Sequence, residues 1–555
     1  MNRPILGSAP WTMIAVLCLG GCGEATPPSE QAHRATTTSA AAVVLVAGAK
    51  ISGANGMAFS KDGLLYVASV LGSELIVLNP DTGQVVKRLT RADGVEGPDD
   101  VAFAADGAFY WTSILTGEVA GLRADGTRVV AAQLTAGVNP ITFSDDGCLF
   151  VAQCFFGDKL YEVDPNGIKE ARLISDKLGP RCGLNGMDWG PDGRLYGPRW
   201  FRGEVVSFDV DAGTFRTEAS GFEVPAAVKF DSKGRLHVLD TAAGTVIRVV
   251  DGVKEVVATL SPGLDNFAFD ANDRLFVSSF TDGFVVRVEP DGSLFELSPG
   301  GMATPGGVAV HVRDGKPEVV VADLQALRAF DGTTGASTFA QRNILGVSEL
   351  GSSLTVAADG DLLVLSSWVD EDVRVWDPVG KKVVERHTGL GGPTDAVRFE
   401  GGLAIAEHAN HRVILIVGEV TTVLADALGE PTGLAVDRRN LYVADRARGQ
   451  LLEIVSDGVV LTPPRVVAQG LESPEGIAIV NDGFAVVEAE RGRVVLVGKD
   501  GTITPLADTE PGSPAASAAQ PPSFVFNGVA AGADGVLYVT GEKSRVLYRI
   551  VRAAH

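Results

Sequence analysis

Asn55, Asp99, Asn139, Asn185 and Asp265 each stand two residues ahead of an apolar residue that opens a strand-like run, at Met57, Val101, Ile141, Met187 and Phe267. A sixth copy of the pattern, ahead of Val228, carries Ala226 instead. Two carboxylates and three amides are hard oxygen donors, which suit Ca2+ or another divalent cation better than a thiophilic metal. Asn and Asp also cap strand entries and form turns, so the pattern carries chemistry only if the fold brings the six positions to one point. A cation held there would polarise a carbonyl or acidify a water, with Asp265 as the base. Asp100 and Asn266 lie next to two of these positions as substrate-binding candidates. Arg199, in Pro198-Arg199-Trp200-Phe201, is placed either to meet an anionic group of a substrate or to pack on Trp200.

The element that must position these residues is a hairpin. Its plainest copy is Leu184-Asn185-Gly186-Met187-Asp188-Trp189-Gly190-Pro191-Asp192-Gly193-Arg194-Leu195-Tyr196, in which an Asp-Gly turn separates two apolar runs. Further copies open at Leu354, Ala396, Leu434, Ile477, Val529 and Val308, making twelve in all. The mean spacing of about 43 residues matches the period of four-stranded propeller blades. Two more strand-like runs follow each hairpin, so each unit reads as strands A to D, stacked radially on its neighbours to form a core. The expected fold is all-β: twelve four-stranded blades in two tandem six-bladed β-propellers, since a single ring usually holds four to eight blades. The run at 42–47 has no A, B or C strand before it, and the last unit stops after its C strand. Each ring is therefore expected to be completed by a leading D strand, 42–47 in the first and 293–297 in the second. This places the first propeller at 42–291 and the second at 292–555, with the boundary in Pro290-Asp291-Gly292.

The equivalent positions of the second ring are Gly306, Ser352, Thr394, Thr432, Glu475 and Asn527. Glu475 and Asn527 are its site candidates, with His408 at a B-strand end; a lone His there also serves as an ordinary surface residue. No nucleophile elbow, phosphate loop or Cys/His metal cluster occurs in the sequence.

A net charge of −22 over 555 residues excludes a nucleic-acid surface and favours cations and neutral ligands. The N-terminus reads as an export signal, 1–21, with Arg3 ahead of an interrupted apolar stretch. Leu19-Gly20-Gly21-Cys22 resembles the bacterial lipobox, which implies lipidation of Cys22 after cleavage, with 22–41 as a flexible tether. The expected location is the bacterial cell envelope, as an outer-membrane lipoprotein facing periplasm or exterior, monomeric and touching the membrane only through its anchor. In that oxidising setting Cys154 and Cys182 are a disulfide candidate, leaving Cys148 free; three small buried apolar residues are the alternative.

The repeats resemble the six-bladed propeller superfamily of NHL-repeat and senescence-marker/gluconolactonase-like proteins. The resemblance is carried by Asn185-Gly186-Met187-Asp188-Trp189, Leu441-Tyr442-Val443-Ala444-Asp445 and Ala406-Glu407-His408-Ala409-Asn410-His411-Arg412. It implies a divalent metal at a channel mouth, held by a Glu, two Asn from successive blades and an Asp from the next. Asn139 and Asn185 match the amides, whereas Ala226 and Asn55 stand where the Asp and Glu belong. Two functions follow as expectations: a metal-dependent lactonase- or esterase-like hydrolase working at the mouth of propeller 1 on a small molecule, or a non-catalytic NHL-type scaffold whose rim binds a protein or glycan partner.

Overall fold

The computed structural model describes residues 40–313, 316–481, 483–511 and 523–551; the export signal, Cys22 and nearly all of the tether lie outside them. Described strands run from Ala42–Ala47 to Val546–Ile550 and form twelve four-stranded antiparallel sheets, with no α-helix among the described residues. The Asp-Gly hairpins behave as their chemistry dictates. In the copy ending at Tyr196, Gly193 takes a φ of +74°, its N–H bonds to Gly190 O at 3.0 Å, and Gly190 N–H closes on Arg194 O at 2.8 Å. Trp189 then stacks on Phe150 of the preceding blade at 5.5 Å, one of the inter-blade contacts that make the core.

Two rings close. The inner strands Ala54–Phe59, Pro98–Phe103, Val138–Phe143, Asp188–Trp189, Pro225–Phe230 and Leu264–Phe269 pack in chain order, and the last packs against the first. The inner strands from Val308–Arg313 to Val529–Ala531 do the same. The chain is a tandem six-bladed β-propeller.

Ring completion differs from the expected pattern. Leu294–Ser298 does not open the second ring; it pairs with Val285–Val288 as the outer strand of the first ring's sixth blade. The reason is local: Pro290-Asp291-Gly292 is a hairpin turn, with Gly292 at φ +83° and Ser293 N–H on Asp291 Oδ1 at 2.9 Å, so the chain folds back on its neighbour. Ala42–Ala47 in turn pairs with Val546–Ile550, giving the second ring's last blade its outer strand. One strand completes one ring, and the first ring closes without a shared sheet.

Two chain segments therefore cross between the rings, 48–53 outward and 299–307 back. They run against each other, with Ala49 N–H on Met302 O at 2.9 Å and Ser52 Oγ on Ala303 O at 2.8 Å. Contact is so close that a Cβ on Gly48 would lie 2.5 Å from Met302 O and nearer still to Arg545 O, so only glycine fits there. Beyond the crossings, Arg328 Nη2 pairs with Asp282 of the first ring at 2.8 Å, and Trp200 Nε1 donates to Leu345 O at 3.1 Å.

Deleting Ala42–Ala47 leaves Val546–Ile550 as an unpaired edge. Amide hydrogen exchange should accelerate along Val546–Ile550 and Leu537–Gly541 while Leu65–Ser69 stays protected. Faster exchange confined to the first ring would contradict the pairing.

Candidate functional site

The polar residues reach the channel mouth through a repeated irregularity. In five blades of the first ring the inner ladder slips at its head; one slip, between Pro225 and Ala227, spans Ala226 alone, and the other four span two residues, between Ala54 and Met57, Pro98 and Val101, Val138 and Ile141, and Leu264 and Phe267. A bulge of this kind frees two residues from ladder pairing and re-aims their side chains. The first freed residue of each pair is Asn55, Asp99, Asn139 or Asp265, and these four line one cavity of about 190 Å³. Asn185 belongs to a blade whose inner strand is only Asp188–Trp189, and its Oδ1 accepts from its own Gly186 N–H at 3.1 Å. Ala226 is packed in the core.

The second freed residues do different work. Asp100 accepts Val101 N–H at 2.9 Å and the next blade's Ile141 N–H at 3.4 Å, while Asn266 accepts Phe267 N–H at 2.8 Å and donates to Asp100 Oδ1 at 3.4 Å. Both bind blade to blade. Arg199 also faces away from the cavity: it pairs with Glu204 at 2.7 Å, donates to Leu178 O at 2.9 Å and lies over the Phe215 ring at 5.1 Å. Its neighbours Trp200 and Phe201, in the same 3-10 turn, line the cavity instead.

The mouth holds two carboxylates without a basic partner. Burial raises the pKa of Asp99 well above the usual carboxylate range, and the charges of Asp265 and Asp100 add to it; burial, then Asp100, does the same to Asp265. Asp99 Oδ2 receives only Asn55 Nδ2 at 3.4 Å, and Asp99 Oδ1 is buried with no hydrogen-bond partner among the described residues. The pair Asp100 and Asp188 is different, because the Lys229 charge lowers both against burial. Burial still prevails in Asp100, whose pKa is raised to about 6. No group of three or more His, Cys, Asp or Glu is placed to hold a metal ion among the described residues. A cation at this mouth would rest on Asp99, Asp265 and the amides of Asn55 and Asn139, an all-oxygen donor set that fits a hard ion.

The rest of the cavity was not legible from the repeats. The same face of the second ring covers the mouth, contributing Leu324, Gln325, Asn343, Ile344 and Phe524. Phe155 and Phe156 form a wall next to Cys154, which is joined to Cys182 by a disulfide; Cys148 is the free cysteine. Glu475 and Asn527 lie outside this cavity, in a network of their own: Glu475 Oε2 accepts Asn527 N–H at 2.8 Å, Oε1 faces Arg446 Nε at 3.4 Å, and Asn527 Oδ1 accepts Glu542 N–H at 2.7 Å. Burial and the Glu475 charge push Glu542 to about 8. His408 sits 6.0 Å from the Phe526 ring, with burial lowering its pKa. The carboxylates that end B strands, such as Asp445 in Leu441-Tyr442-Val443-Ala444-Asp445, are clamps: Asp445 accepts Gly429 and Glu430 N–H at 2.8 and 3.0 Å, and Asp240 holds Glu223 and Val224 likewise.

No family model and no curated protein matches the chain. Among solved structures it is similar to a streptogramin B lyase at 16% identity, over 49% of this chain and 91% of that one, with a TM-score of 0.36. A gluconolactonase from Xanthomonas campestris matches at 18% identity over 45% and 96%, TM-score 0.36. The extracellular domain of a protein assigned to hybrid two-component systems of B. thetaiotaomicron matches at 10% identity over 92% and 83%, TM-score 0.33. The fold assignment rests on this chain's own strand pairing and ring closure.

A raised carboxyl pKa means that the folded state prefers the protonated acid, so its stability is greatest below the unfolded pKa near 4 and declines as pH rises toward the folded value. Each unit of elevation costs about 1.4 kcal/mol once the pH exceeds it. Asp99→Asn should therefore raise the metal-free Tm at pH 8, by about 2 °C or more, and leave it nearly unchanged at pH 4. Calorimetry in chelator at the two pH values reads this directly; a lower Tm at pH 8 would contradict it.

Proposed function

We propose that the protein is an exported, lipid-anchored double propeller that hydrolyses a small ester or lactone in the cavity between its rings, with a divalent cation, Ca2+ by donor chemistry, at the mouth of the first. The observation that carries this reading is the bare, buried Asp99 Oδ1 beside the half-buried Asp265, since two such acids with no basic partner are stable as anions only when a cation joins them. Asp99, Asp265, Asn55 and Asn139 would hold the ion. When bound, it polarises the carbonyl of the substrate.

The chain's own residues do the remainder. Asp265, with a pKa that burial raises well above the usual carboxylate range, is suited to take a proton from the water that attacks the carbonyl carbon. The C–O bond to the leaving alcohol then breaks, and the proton on Asp265 returns to that oxygen. Asn55 donates to Asp99 Oδ2 at 3.4 Å, which leaves Asp99 Oδ1 without a protein partner among the described residues. The aromatic walls exclude bulk water, which strengthens every charge interaction inside. Export and anchoring are supported by Leu19-Gly20-Gly21-Cys22 following an apolar stretch.

Millimolar Ca2+ should raise the Tm of the whole chain, by an increment that grows with the logarithm of its concentration, and Asp99→Asn combined with Asp265→Asn should abolish the increment. No response to any divalent ion would overturn the cation site. A screen of lactones and aryl esters then separates the readings: hydrolysis lost in the double variant supports the enzyme, and a thermal shift without turnover supports a binding scaffold. In bacteria, Cys22→Ser should move the protein from the membrane to the soluble envelope fraction.

A further inference from the structure

Among the described residues that line the cavity, Arg181 alone is basic, and it stands across the mouth from the acids. Asp99 and Asp265 come from the second and sixth blades of the first ring, on either side of the blade of Asn55. Arg181 lies between Arg172–Ser175 and Asp188–Trp189, where the chain enters the fourth blade, which is the one opposite Asn55 in a ring of six. Burial and neighbouring acids set the pKa of Asp99 and Asp265, and Arg181 takes no part in either.

Arg181 is held in place from three sides. Cys182 is bonded to Cys154, which ties the backbone beside Arg181 to the strand end that carries Phe155 and Phe156 into the cavity wall. Arg181 itself sits at φ +64°, a left-handed conformation that a residue other than glycine keeps where its surroundings impose it. Its guanidinium carbon lies 4.5 Å from the centre of the Phe201 ring, which lines the same cavity. From the second ring Gly346, another lining residue, closes on this stack: a Cβ there would lie 3.1 Å from Phe201 Cε1 and 3.5 Å from Arg181 Nη2. The guanidinium is thus bracketed by two residues of the cavity wall, while Arg181 as a whole is exposed, which places it at the opening. Stacking occupies its face and leaves the N–H groups along its edge free. Among the described residues no hydrogen bond or ion pair takes them.

We infer that the cavity takes a small carboxylate: Arg181 receives the carboxylate group, and an apolar body carries the ester or lactone group across the mouth to Asp99 and Asp265. The position of the reacting group rests on the hydrolase reading above; the anion site at Arg181 does not. One guanidinium without a second cation balances one charge, and its parallel N–H pair matches the two oxygens of a carboxylate. A phosphate dianion would keep an unpaired charge in a cavity that already holds two acids. In a chain of net charge −22 an anion is held only where a local partner receives it. The remaining lining is mostly apolar, with Ile114, Leu264, Phe155 and Trp200 in it, and its volume of about 190 Å³ exceeds the roughly 150 Å³ of an apolar cavity that takes benzene. Attraction at one end and like-charge repulsion at the other orient the guest, so Arg181 is a specificity residue.

Trp200 lines the cavity and reports its occupancy, so the test is a tryptophan-fluorescence titration of the whole protein with benzoate and benzamide, two probes of one shape that differ in charge and are not esters. Chelator in the buffer denies the carboxylate a metal to bind. Wild type should bind benzoate roughly tenfold more tightly than benzamide, and the preference should shrink at high salt because Arg181 is exposed. Arg181→Gln should erase the preference, and Arg181→Lys, which keeps the charge and loses the fork, should keep part of it. Phe201→Leu removes the stacking face and should reduce the preference by a smaller factor, which serves if Arg181→Gln does not fold. Asp99→Asn should retain it. Equal affinities in wild type, a preference surviving Arg181→Gln, or no binding of either probe would overturn the inference. A preference that depends on Arg181, with no Ca2+ response and no ester hydrolysis, would overturn the hydrolase reading alone.

Discussion

The strand Ala42–Ala47, lying against Val546–Ile550, is the constraint on which the site depends. A chain whose strand Ala42–Ala47 lies in its last blade must leave that blade to build the first ring and then return, so two segments cross between the rings at one edge. They are hydrogen-bonded to each other and too close for a side chain at Gly48. A single linker would act as a swivel. Two crossings side by side, reinforced by Arg328 on Asp282, resist twisting and hold the same face of each ring toward the other. The cavity exists because of that arrangement, since residues of both rings line it.

Within the rings, most buried carboxylates are bound by their surroundings. Asp240 and Asp445 each gather backbone N–H groups from the loop entering their own blade, Asp395 spans Ala396 and Leu434 N–H across a blade boundary, and Lys229 offsets part of the burial cost of Asp100 and Asp188. These acids substitute protein donors for lost water, which is what makes a buried charge tolerable. Asp99 and Asp265 break that pattern. They sit at a ladder bulge that leaves them outside the ladder pairing, burial raises the pKa of both, Asp100 adds to each and Asp265 adds to Asp99, and no neighbouring group compensates them. Departures from a repeated structural rule are where a propeller has chemistry available to it.

The blades were legible in the sequence because a hairpin is a local object: Asp-Gly between apolar runs specifies its own turn, and the period followed by counting. Phase was not legible, because Pro290-Asp291-Gly292 reads equally well as a boundary or as one more hairpin turn, and only the partner of 42–47, some five hundred residues away, distinguishes them. At the site, four of the six aligned positions converge as their register implied. Asn185 and Ala226 do not line the cavity, because register says nothing about how far an inner strand extends, and the blade of Asn185 has one of two residues. Arg199 was placed on the right turn and faces the wrong side of it, drawn to Glu204 and Phe215. Gln325 and Asn343 carried no signal, since nothing in a repeat pattern says that one ring will cover another.

The acidic mouth also bears on why the two rings are kept together. An uncompensated acid pair penalises the folded state at the pH of most envelopes, and a surface carboxylate in the same place would carry no such penalty because water would solvate it. Covering the mouth with the second ring therefore makes the penalty worse, and would strengthen the attraction for the proposed cation, since both follow from the loss of water. A fold seeking stability alone would have left the mouth open or replaced the acids. On the proposed function, the stability given up at the covered, bare Asp99 Oδ1 would be recovered when a cation fills the site.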